Sequence, residues 1–418
     1  MSGGGIVKLA ILGAGARGRI YANYVLAHPE EAAVVAVAEP NAERLAAMQA
    51  DFGLPASACF ADWTELLDAA PEADGVLICT QDRMHVEPTV RALDLGYHVL
   101  LEKPMATEAG DILAIGRKAR ASGRVLSVSH VLRYAPFFQT IKRLLDEGAI
   151  GRLMTIQHNE NVGYYHHAHS FVRGPWRRAD EASPMIMAKS CHDMDILLWL
   201  AGADCAEISS FGALSHYRAD RAPEGAADRC LDCPLQDECI YSAPKFYLNP
   251  ENLGYTAYAT QDFSREGILK ALREGPYGRC VWRCDNDVVD HQVVNLRFEN
   301  DITAAFTMTA FTAANNRTIK LMGTEGEIRG SMERNELELI RFGGSGPVAV
   351  ELPRVDGPVG HGGGDQLLLG DFLRLVAQGG KEEGLTSAAK SVQSHLMALA
   401  AERSRVEGRI VRMEEYGR

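Results

Sequence analysis

The chain has 418 residues, of which 46% are hydrophobic and 23% charged. This composition is typical of a globular protein, and the length favours two domains over one. A formal net charge of −12 argues against a broad surface for nucleic acid or anionic membranes, and no apolar run has the length of a membrane span. We interpret the apolar stretch at 6–16 as a strand and its turn, since Lys8 interrupts it. Without a secretory signal, the nine cysteines are expected to be reduced in a cytoplasmic protein.

The first third of the chain alternates short apolar runs with amphipathic segments. Near-continuous apolar runs are typical of parallel strands covered on both faces, and the alternation indicates a doubly wound α/β sheet. We therefore predict a Rossmann domain over residues 1–130. The predicted strands are 8–12, 34–39, 75–80, 98–103 and 125–130, and the predicted helices are 17–28, 41–51, 63–69, 86–96 and 108–121.

After Pro136 the order of elements changes, and strands follow one another. Consecutive strands predict a large, mostly antiparallel sheet in an α+β domain over residues 131–418. A hairpin turn is expected at 299–301, and residues 216–288 fit neither pattern and are treated as an insertion. The predicted strands are 152–160, 207–215, 290–299, 301–311, 317–323, 337–342 and 347–352, and the predicted helices are 136–147, 192–200, 365–377 and 386–404.

A glycine-rich motif lies between the first predicted strand and the first helix. Its G-x-G-x-x-G pattern is typical of a turn on which a dinucleotide diphosphate rests. Glu39, twenty-one residues after Gly18, ends the second strand, where a carboxylate binds ribose hydroxyls and disfavours a 2′-phosphate. The pattern favours NAD over NADP, the alternative being a glycine-rich turn in an unrelated sheet. The motif residues are Gly13, Ala14, Gly15, Ala16, Arg17 and Gly18.

The fourth strand of the first sheet ends at Glu102-Lys103-Pro104. Ligands bind beside the carboxyl ends of parallel strands, so Lys103 is a candidate site residue, although a lysine at a strand end is usually a surface residue.

Several motifs together resemble the Gfo/Idh/MocA family of oxidoreductases over nearly the whole chain. The resemblance implies a Rossmann domain followed by an open-faced sheet domain whose outer surface often mediates oligomers. It leads us to expect a homo-oligomer that binds a small carbohydrate substrate, with no nucleic-acid or membrane partner. The matching segments are GAGARG (13–18), AEPN (38–41), ICTQDRMH (78–85), EKP (102–104) and CHDMDILLWLAG (191–202).

The resemblance also implies residue roles. Lys103 and His192 would flank the reacting carbinol over the nicotinamide, with Thr80 and His85 nearby and Glu102 on the nicotinamide ribose. A histidine suits a general base because its pKa lies near operating pH, and a lysine can stabilise a developing alkoxide.

One position departs from the family pattern. Many members carry an aspartate four residues before the histidine, where this chain has Ala188 followed by Lys189. Lys189 could lower the proton affinity of the neighbouring cationic groups or bind an anionic substrate group, or it could face outward.

The loop 159–178 is rich in aromatic, basic and histidine residues, which suit carbohydrate hydroxyls and ring faces. His166, His167 and His169 could instead hold a metal. Asp290 or His291 could contribute to the site, or belong to a turn at a strand entry. The predicted substrate contacts are Tyr164, His169, Arg173, Trp176 and Asp193.

Cys230, Cys233 and Cys239 lie inside the insertion, in a stretch of ten residues. Cys280 and Cys284 lie near its far end. This spacing predicts a structural zinc site completed by Cys280 rather than Cys284. The alternatives are an iron–sulfur cluster and plain reduced thiols.

Three functions follow from these patterns. The first is an NAD-dependent oxidoreductase acting on a secondary alcohol of a sugar, inositol or sugar acid. The second is a glycosidase or lyase that keeps NAD bound and oxidises a sugar ring carbon transiently. The third, an NAD-sensing regulator without catalysis, is disfavoured by the presence of both Lys103 and His192.

Overall fold

A computed structural model describes residues 5–354 and 360–417. A six-stranded, fully parallel sheet forms in the first third of the chain, in the order β3-β2-β1-β4-β5-β6. The predicted Rossmann fold is confirmed; the short edge strand β3 was not predicted. The strands are β1 (Val7–Leu12), β2 (Ala32–Ala38), β3 (Cys59–Phe60), β4 (Gly75–Ile78), β5 (His98–Leu101) and β6 (Leu126–Val128), and the helices are α1 (Ala16–Ala27), α2 (Ala42–Phe52), α3 (Trp63–Ala69), α4 (Val86–Asp94) and α5 (Ala109–Ser122).

A nine-stranded sheet forms the second layer, in the order β14-β13-β12-β11-β7-β10-β9-β8-β15. Only the central β7–β10 pair is parallel among its pairings in the described residues, so the predicted mostly antiparallel sheet is confirmed. The strands are β7 (Leu153–Gly163), β8 (Cys205–Ala213), β9 (His291–Phe298), β10 (Thr303–Thr312), β11 (Asn316–Gly323), β12 (Gly326–Ser331), β13 (Glu336–Arg341), β14 (Val348–Ala349) and β15 (Val411–Arg412).

Three local features of this sheet show how the sequence determines its strands. The hairpin between β9 and β10 turns at Asp301, which has a φ of 67°. The sequence did not predict β12, because two glycines and Arg329 weaken its alternation of apolar and polar residues. Ile328 is the apolar side chain of this strand and is fully buried. The predicted strand 347–352 is shorter in the structure, where β14 pairs only at Val348 and Ala349.

The remaining helices follow the first domain in the chain, and three of them lie in the insertion. A π-helical segment, Ala168–Arg173, follows α7 directly. Among the described residues, no helix is both long and apolar enough to cross a membrane. The helices are α6 (Pro136–Asp146), α7 (Tyr164–His167), α8 (Met185–Ala188), α9 (Cys191–Ala201), α10 (Ala243–Tyr247), α11 (Leu253–Ala259), α12 (Arg265–Glu274), α13 (Gly364–Ala377) and α14 (Ala388–Glu407), and α10–α12 lie in the insertion.

The C-terminal helices return to the first sheet. Leu369 and Phe372 of α13 are buried in one hydrophobic cluster with Leu9 and Ile11 of β1. Helix α14 packs against α5, α9 and β8, so it contacts both layers. The side chains that cover the nucleotide-binding sheet therefore come from both ends of the chain.

Candidate active site

The glycine loop after β1 has the shape that a dinucleotide requires. Gly13 has a φ of 91°, and a Cβ there would lie 2.6 Å from the Cys79 carbonyl oxygen. A Cβ on Gly18 would lie 2.0 Å from the Gly13 carbonyl oxygen, so α1 packs directly on the loop. A Cβ on Gly15 would meet only Arg44 Nη1, at 3.9 Å. Space is therefore open at the glycine where a diphosphate approaches the backbone, and the loop fits the cofactor.

Glu39 stands at the end of β2, as the motif predicts, and is 5% exposed. Its Oε2 accepts a hydrogen bond from Ala14 N at 2.7 Å, and its Oε1 accepts one from Asn41 N at 2.9 Å. The carboxylate thus connects the glycine loop to the start of α2. This position beside the loop is the one expected of a group that contacts the adenosine ribose.

Arg17 joins the nucleotide loop to the C-terminal part of the chain. Its Nε donates to Glu102 Oε1 at 2.7 Å, and its Nη2 donates to Asp365 Oδ1 at 2.6 Å. Tyr21 also donates to Glu102 Oε1, at 2.6 Å. Burial opposes ionisation of Glu102, but Arg17 and Tyr21 outweigh it and lower its pKa. Both predicted cofactor residues, Arg17 and Glu102, are therefore held in an internal network.

Lys103 extends from the end of β5 toward α8. Its Nζ donates to the Ala188 carbonyl oxygen at 2.9 Å. The His85 ring lies between two backbone carbonyls, with Nδ1 2.7 Å from Pro104 O and Nε2 3.1 Å from Thr80 O. The structure thus brings the predicted residues Thr80 and His85 to the strand ends beside Lys103.

His192 lies in the first turn of α9 and is buried. Burial, followed by the charge of Lys103 and then by His361, holds its pKa well below the ordinary value. Its Nδ1 has no hydrogen-bond partner among the described residues. The imidazole is therefore neutral near pH 7, and it lies within the electrostatic reach of Lys103. This is the state required of a proton acceptor.

His361 is a site residue that sequence reasoning missed. Its ring centroid lies 5.7 Å from that of His192, and its Nδ1 lies 3.0 Å from Asp365 Oδ2. Burial lowers the pKa of His361, and Asp365 partly offsets this. No motif signals this pair, because it lies in the glycine-rich start of α13, far in sequence from α9.

Lys189 faces inward, with an 18% exposed side chain, and pairs with Glu160 of β7 at 3.4 Å. Burial is the largest influence on Lys189 and lowers its pKa, while Glu160 opposes that effect and the charges of Arg317 and Lys103 add to it. The carboxylate beside this part of the site therefore comes from β7, since α8 offers Ala188 at the family's aspartate position.

Asp193 belongs to a buried ionic cluster rather than to an open surface. It accepts from Arg317 Nε at 2.9 Å and lies 2.7 Å from His158 Nε2, and Arg317 also contacts Glu160. Burial opposes its ionisation, but Arg317 and His158 outweigh it and bring the pKa of Asp193 to about 2. We call Asp193, Arg317, His158 and Glu160 the ionic cluster.

The other predicted substrate residues separate into different surroundings. His169 Nδ1 lies 2.7 Å from the Tyr247 hydroxyl of the insertion, and burial lowers the pKa of His169 to about 3. Arg173 donates to the Tyr241 carbonyl oxygen at 2.8 Å and lies among the insertion cysteines. Trp176 Nε1 donates to Asp82 at 3.3 Å. The ring of Tyr164 is 5.9 Å from that of Tyr241.

Two further candidates stabilise the chain locally. Asp290 Oδ2 accepts hydrogen bonds from Ser215 N and His216 N at 2.8 and 2.7 Å, and its Oδ1 lies 2.7 Å from His291 Nδ1. These contacts fit the alternative of a turn at a strand entry. His167 is fully buried between Phe171 and Tyr217, at ring distances of 5.5 and 5.2 Å.

Four insertion cysteines line one cavity of about 440 Å³, together with Arg173. The Arg173 Nη2 lies 3.4 Å from Cys230 Sγ. Across residues 5–354 and 360–417, no group of three or more His, Cys, Asp or Glu side chains is arranged to hold a metal ion. The thiols are free, and the predicted zinc site is not supported by their geometry. The four are Cys230, Cys233, Cys239 and Cys280.

The parallel sheet, its glycine loop and the following mostly antiparallel sheet define a dinucleotide-binding fold with a second α/β domain. The chain belongs to the Gfo/Idh/MocA oxidoreductase family: residues 7–130 match its NAD-binding Rossmann fold, and residues 142–413 match its C-terminal α/β domain. The recognition made from the motifs is therefore confirmed.

The chain is similar to several named oxidoreductases in sequence and in fold. The YteT protein of Bacillus subtilis is 26% identical over 315 residues, 72% of each chain. Inositol 2-dehydrogenase of Streptomyces avermitilis is 30% identical over 53% of this chain and 60% of its own length. A solved levoglucosan dehydrogenase, in complex with NADH and levoglucosan, superposes with a TM-score of 0.72 at 19% identity, covering 97% of this chain and 99% of that one. Several curated relatives are thus matched over little more than half of their length.

Proposed function

We propose that this protein is an NAD-dependent dehydrogenase that transfers hydride between nicotinamide and a secondary alcohol of a sugar, inositol or sugar acid. The observation that carries the proposal is the glycine loop shaped for a dinucleotide, with Lys103 held at the adjacent strand end on the Ala188 carbonyl oxygen and the buried His192 of α9 within the reach of its charge. The names of the relatives, an inositol dehydrogenase and a levoglucosan dehydrogenase, support a polyhydroxylated substrate.

The residues of the chain divide the chemistry among them. Bound NAD supplies the acceptor for the hydride that leaves the carbinol carbon. The His192 imidazole accepts the proton of the substrate hydroxyl, since its lowered pKa keeps it unprotonated. The Lys103 ammonium stabilises the negative charge that develops on the same oxygen. Glu39 and the glycine loop bind and orient the adenosine half of the cofactor.

NADH absorbance during turnover, in a screen of sugars and inositols, tests the proposal. We expect His192→Ala to lower kcat about 10²–10⁴-fold, the usual contribution of a general base, with NADH binding retained. His28→Ala, a histidine at the end of α1, is the matched control and should leave kcat unchanged. The proposal fails if His192→Ala and wild type turn over equally.

The pH profile gives an independent test. Because burial and Lys103 lower the pKa of His192, the base form persists as the pH falls. The acidic limb of kcat/KM should therefore lie below about 6.5, the ordinary histidine value. A limb at or above that value would assign the proton transfer to another group.

A second candidate function is a glycosidase or lyase with transient oxidation of a ring carbon. The buried Lys189, with its lowered pKa and its carboxylate partner Glu160, favours it, because elimination next to a transient ketone needs a base at the neighbouring carbon. The two functions differ in stoichiometry. One NADH formed for each product supports the dehydrogenase, and product without net NADH supports the second function.

We propose that the protein works in the cytoplasm as a homo-oligomer that associates through the outer face of the second sheet. Phe211 of β8 and Val293 of β9 lie opposite each other on that face and are 67% and 40% exposed. Neighbouring exposed apolar side chains support an interface. Phe211→Asp should lower the mass measured by light scattering, whereas Phe263→Asp, in the insertion, should not.

The structural zinc stays a proposal that rests on the cysteine spacing alone, since the thiols are not arranged as a metal site in the described residues. Elemental analysis of the purified chain tests it. About one zinc per chain, lost in a Cys233→Ser variant, would support the site. A zinc content near zero would reject it and leave reduced thiols.

A further inference from the structure

The insertion reaches the active-site loop through α11. The Tyr255 ring lies 5.0 Å from His169 and 5.7 Å from His166, and the Tyr258 ring lies 5.3 Å from His169. The charge of Lys189 also acts on the pKa of His166, after the larger influence of burial. Helix α11 is therefore fixed by aromatic contacts to the segment that borders the candidate substrate site.

The Tyr258 phenol lies within the electrostatic reach of two arginines of the nucleotide-binding domain. Burial raises its pKa, and the charges of Arg17 and Arg44 oppose that rise. Arg17 is the central residue of the network behind the glycine loop, and Arg44 lies in the first turn of α2. Tyr258 is still 40% exposed.

Arg44 extends from α2 to the glycine loop. Its Nη1 lies 3.9 Å from the place that a Cβ on Gly15 would take. Its charge acts on Tyr277 as well as on Tyr258, and the Tyr277 ring stacks on His169 at 4.8 Å. Within residues 5–354 and 360–417, the Arg44 guanidinium has no ion-pair partner, in contrast to Arg17 with its two carboxylates.

The unpaired Arg44 guanidinium therefore lies beside the glycine that a dinucleotide diphosphate approaches, and its charge acts on Tyr258 of the insertion, whose ring packs 5.3 Å from His169. We propose that Arg44 and Tyr258 bind the diphosphate of the cofactor from the side opposite the glycine loop, so that the insertion is part of the NAD site. This inference rests on the proposed dehydrogenase function in one respect, namely that the bound dinucleotide is NAD. A guanidinium and a hydroxyl donate charge-assisted hydrogen bonds to phosphate oxygens, as this role requires.

The test is equilibrium binding of NADH to the full chain, followed by nicotinamide fluorescence without substrate. Arg44→Met should raise the Kd about tenfold to a hundredfold, and Tyr258→Phe about threefold to tenfold, since the first removes a charged partner and the second a neutral one. ADP-ribose, which keeps the diphosphate but lacks nicotinamide, should lose affinity by the same factors in a competition assay.

Matched controls separate this role from general damage. Arg273→Met, on the exposed side of α12, and Tyr24→Phe, whose hydroxyl donates to Glu31, should leave the Kd unchanged. Unchanged melting temperatures in the unliganded variants show that Arg44→Met and Tyr258→Phe are folded.

Each other outcome has a distinct meaning. A wild-type chain that binds no NADH overturns the proposed function and the inference together. Tight wild-type binding with no change in Arg44→Met and Tyr258→Phe overturns only the inference. A loss confined to NADPH would reassign Arg44 to a 2′-phosphate, and a change in substrate KM alone would reassign Tyr258 to the substrate; both overturn the diphosphate role.

Discussion

The nucleotide loop and the ionic cluster both contribute to the candidate site, but different forces build them. At the loop, backbone conformation and close approach decide the structure, because a Cβ on Gly13 or Gly18 would meet a carbonyl oxygen. At the ionic cluster, buried charges compensate one another, with Arg317 between Asp193 and Glu160. The loop should therefore be sensitive to added volume, and the cluster to any unbalanced charge.

The largest effect is expected in the cluster. Arg317→Met leaves two buried carboxylates without their common partner, which should lower the free energy of unfolding by about 3–5 kcal/mol. Urea denaturation measures this. Arg329→Met, whose exposed side chain pairs with Glu327, should cost at most about 1 kcal/mol. If the two variants lost the same free energy of unfolding, the ionic cluster would contribute no more to stability than a surface ion pair.

A smaller effect is expected from added volume in the loop. Gly18→Ala places a methyl group 2.0 Å from the Gly13 carbonyl oxygen, so α1 must shift. Overpacking of this kind costs about 1–3 kcal/mol. If that strain weakens NADH binding in full, the Kd rises roughly fivefold to more than a hundredfold. Gly110→Ala is the control, because a Cβ there meets nothing within 4 Å and the residue is helical. Undiminished NADH binding by Gly18→Ala would show that the loop adapts.

The smallest effect is expected at Asp365, which contacts Arg17 of the nucleotide loop and His361 beside His192. Asp365→Asn removes the charge that Arg17 and His361 share, and we expect kcat/KM to fall roughly threefold to tenfold. The pKa of His361 should fall further, because Asp365 opposes the effect of burial on it. Histidine NMR titration and steady-state kinetics measure the two changes. Asp371→Asn, two turns along α13, should alter neither of them.

The same contrast explains which residues the sequence could predict. Gly13, Gly18 and Glu39 act through local backbone positions that strand and turn patterns already reveal. The partners of Lys189 and Arg17, which are Glu160 and Asp365, come from distant strands and helices, so no spacing in the sequence signals them. These roles depend on contacts that form only when the layers pack.

Arg173 shows the same limit from the other direction. It lies in a loop whose composition suits carbohydrate, but the fold turns its guanidinium toward the Arg279 and Tyr241 carbonyl oxygens of the insertion. The amino-acid composition characterises the loop as a whole. It does not distinguish the side chains that point into the protein from those that reach a ligand. The strands were easier, since burial on alternate residues is a property of short segments.

The return of α13 to the first sheet has a consequence for biosynthesis. One face of the nucleotide-binding sheet, including Leu9 and Ile11, is covered by Leu369 and Phe372. On the ribosome that face lacks this part of its cover until the chain has been translated through Ala377, so the amino-terminal domain emerges first but completes its packing late. Part of its apolar surface is exposed during that interval, and exposed apolar surface of this kind favours aggregation of a nascent chain.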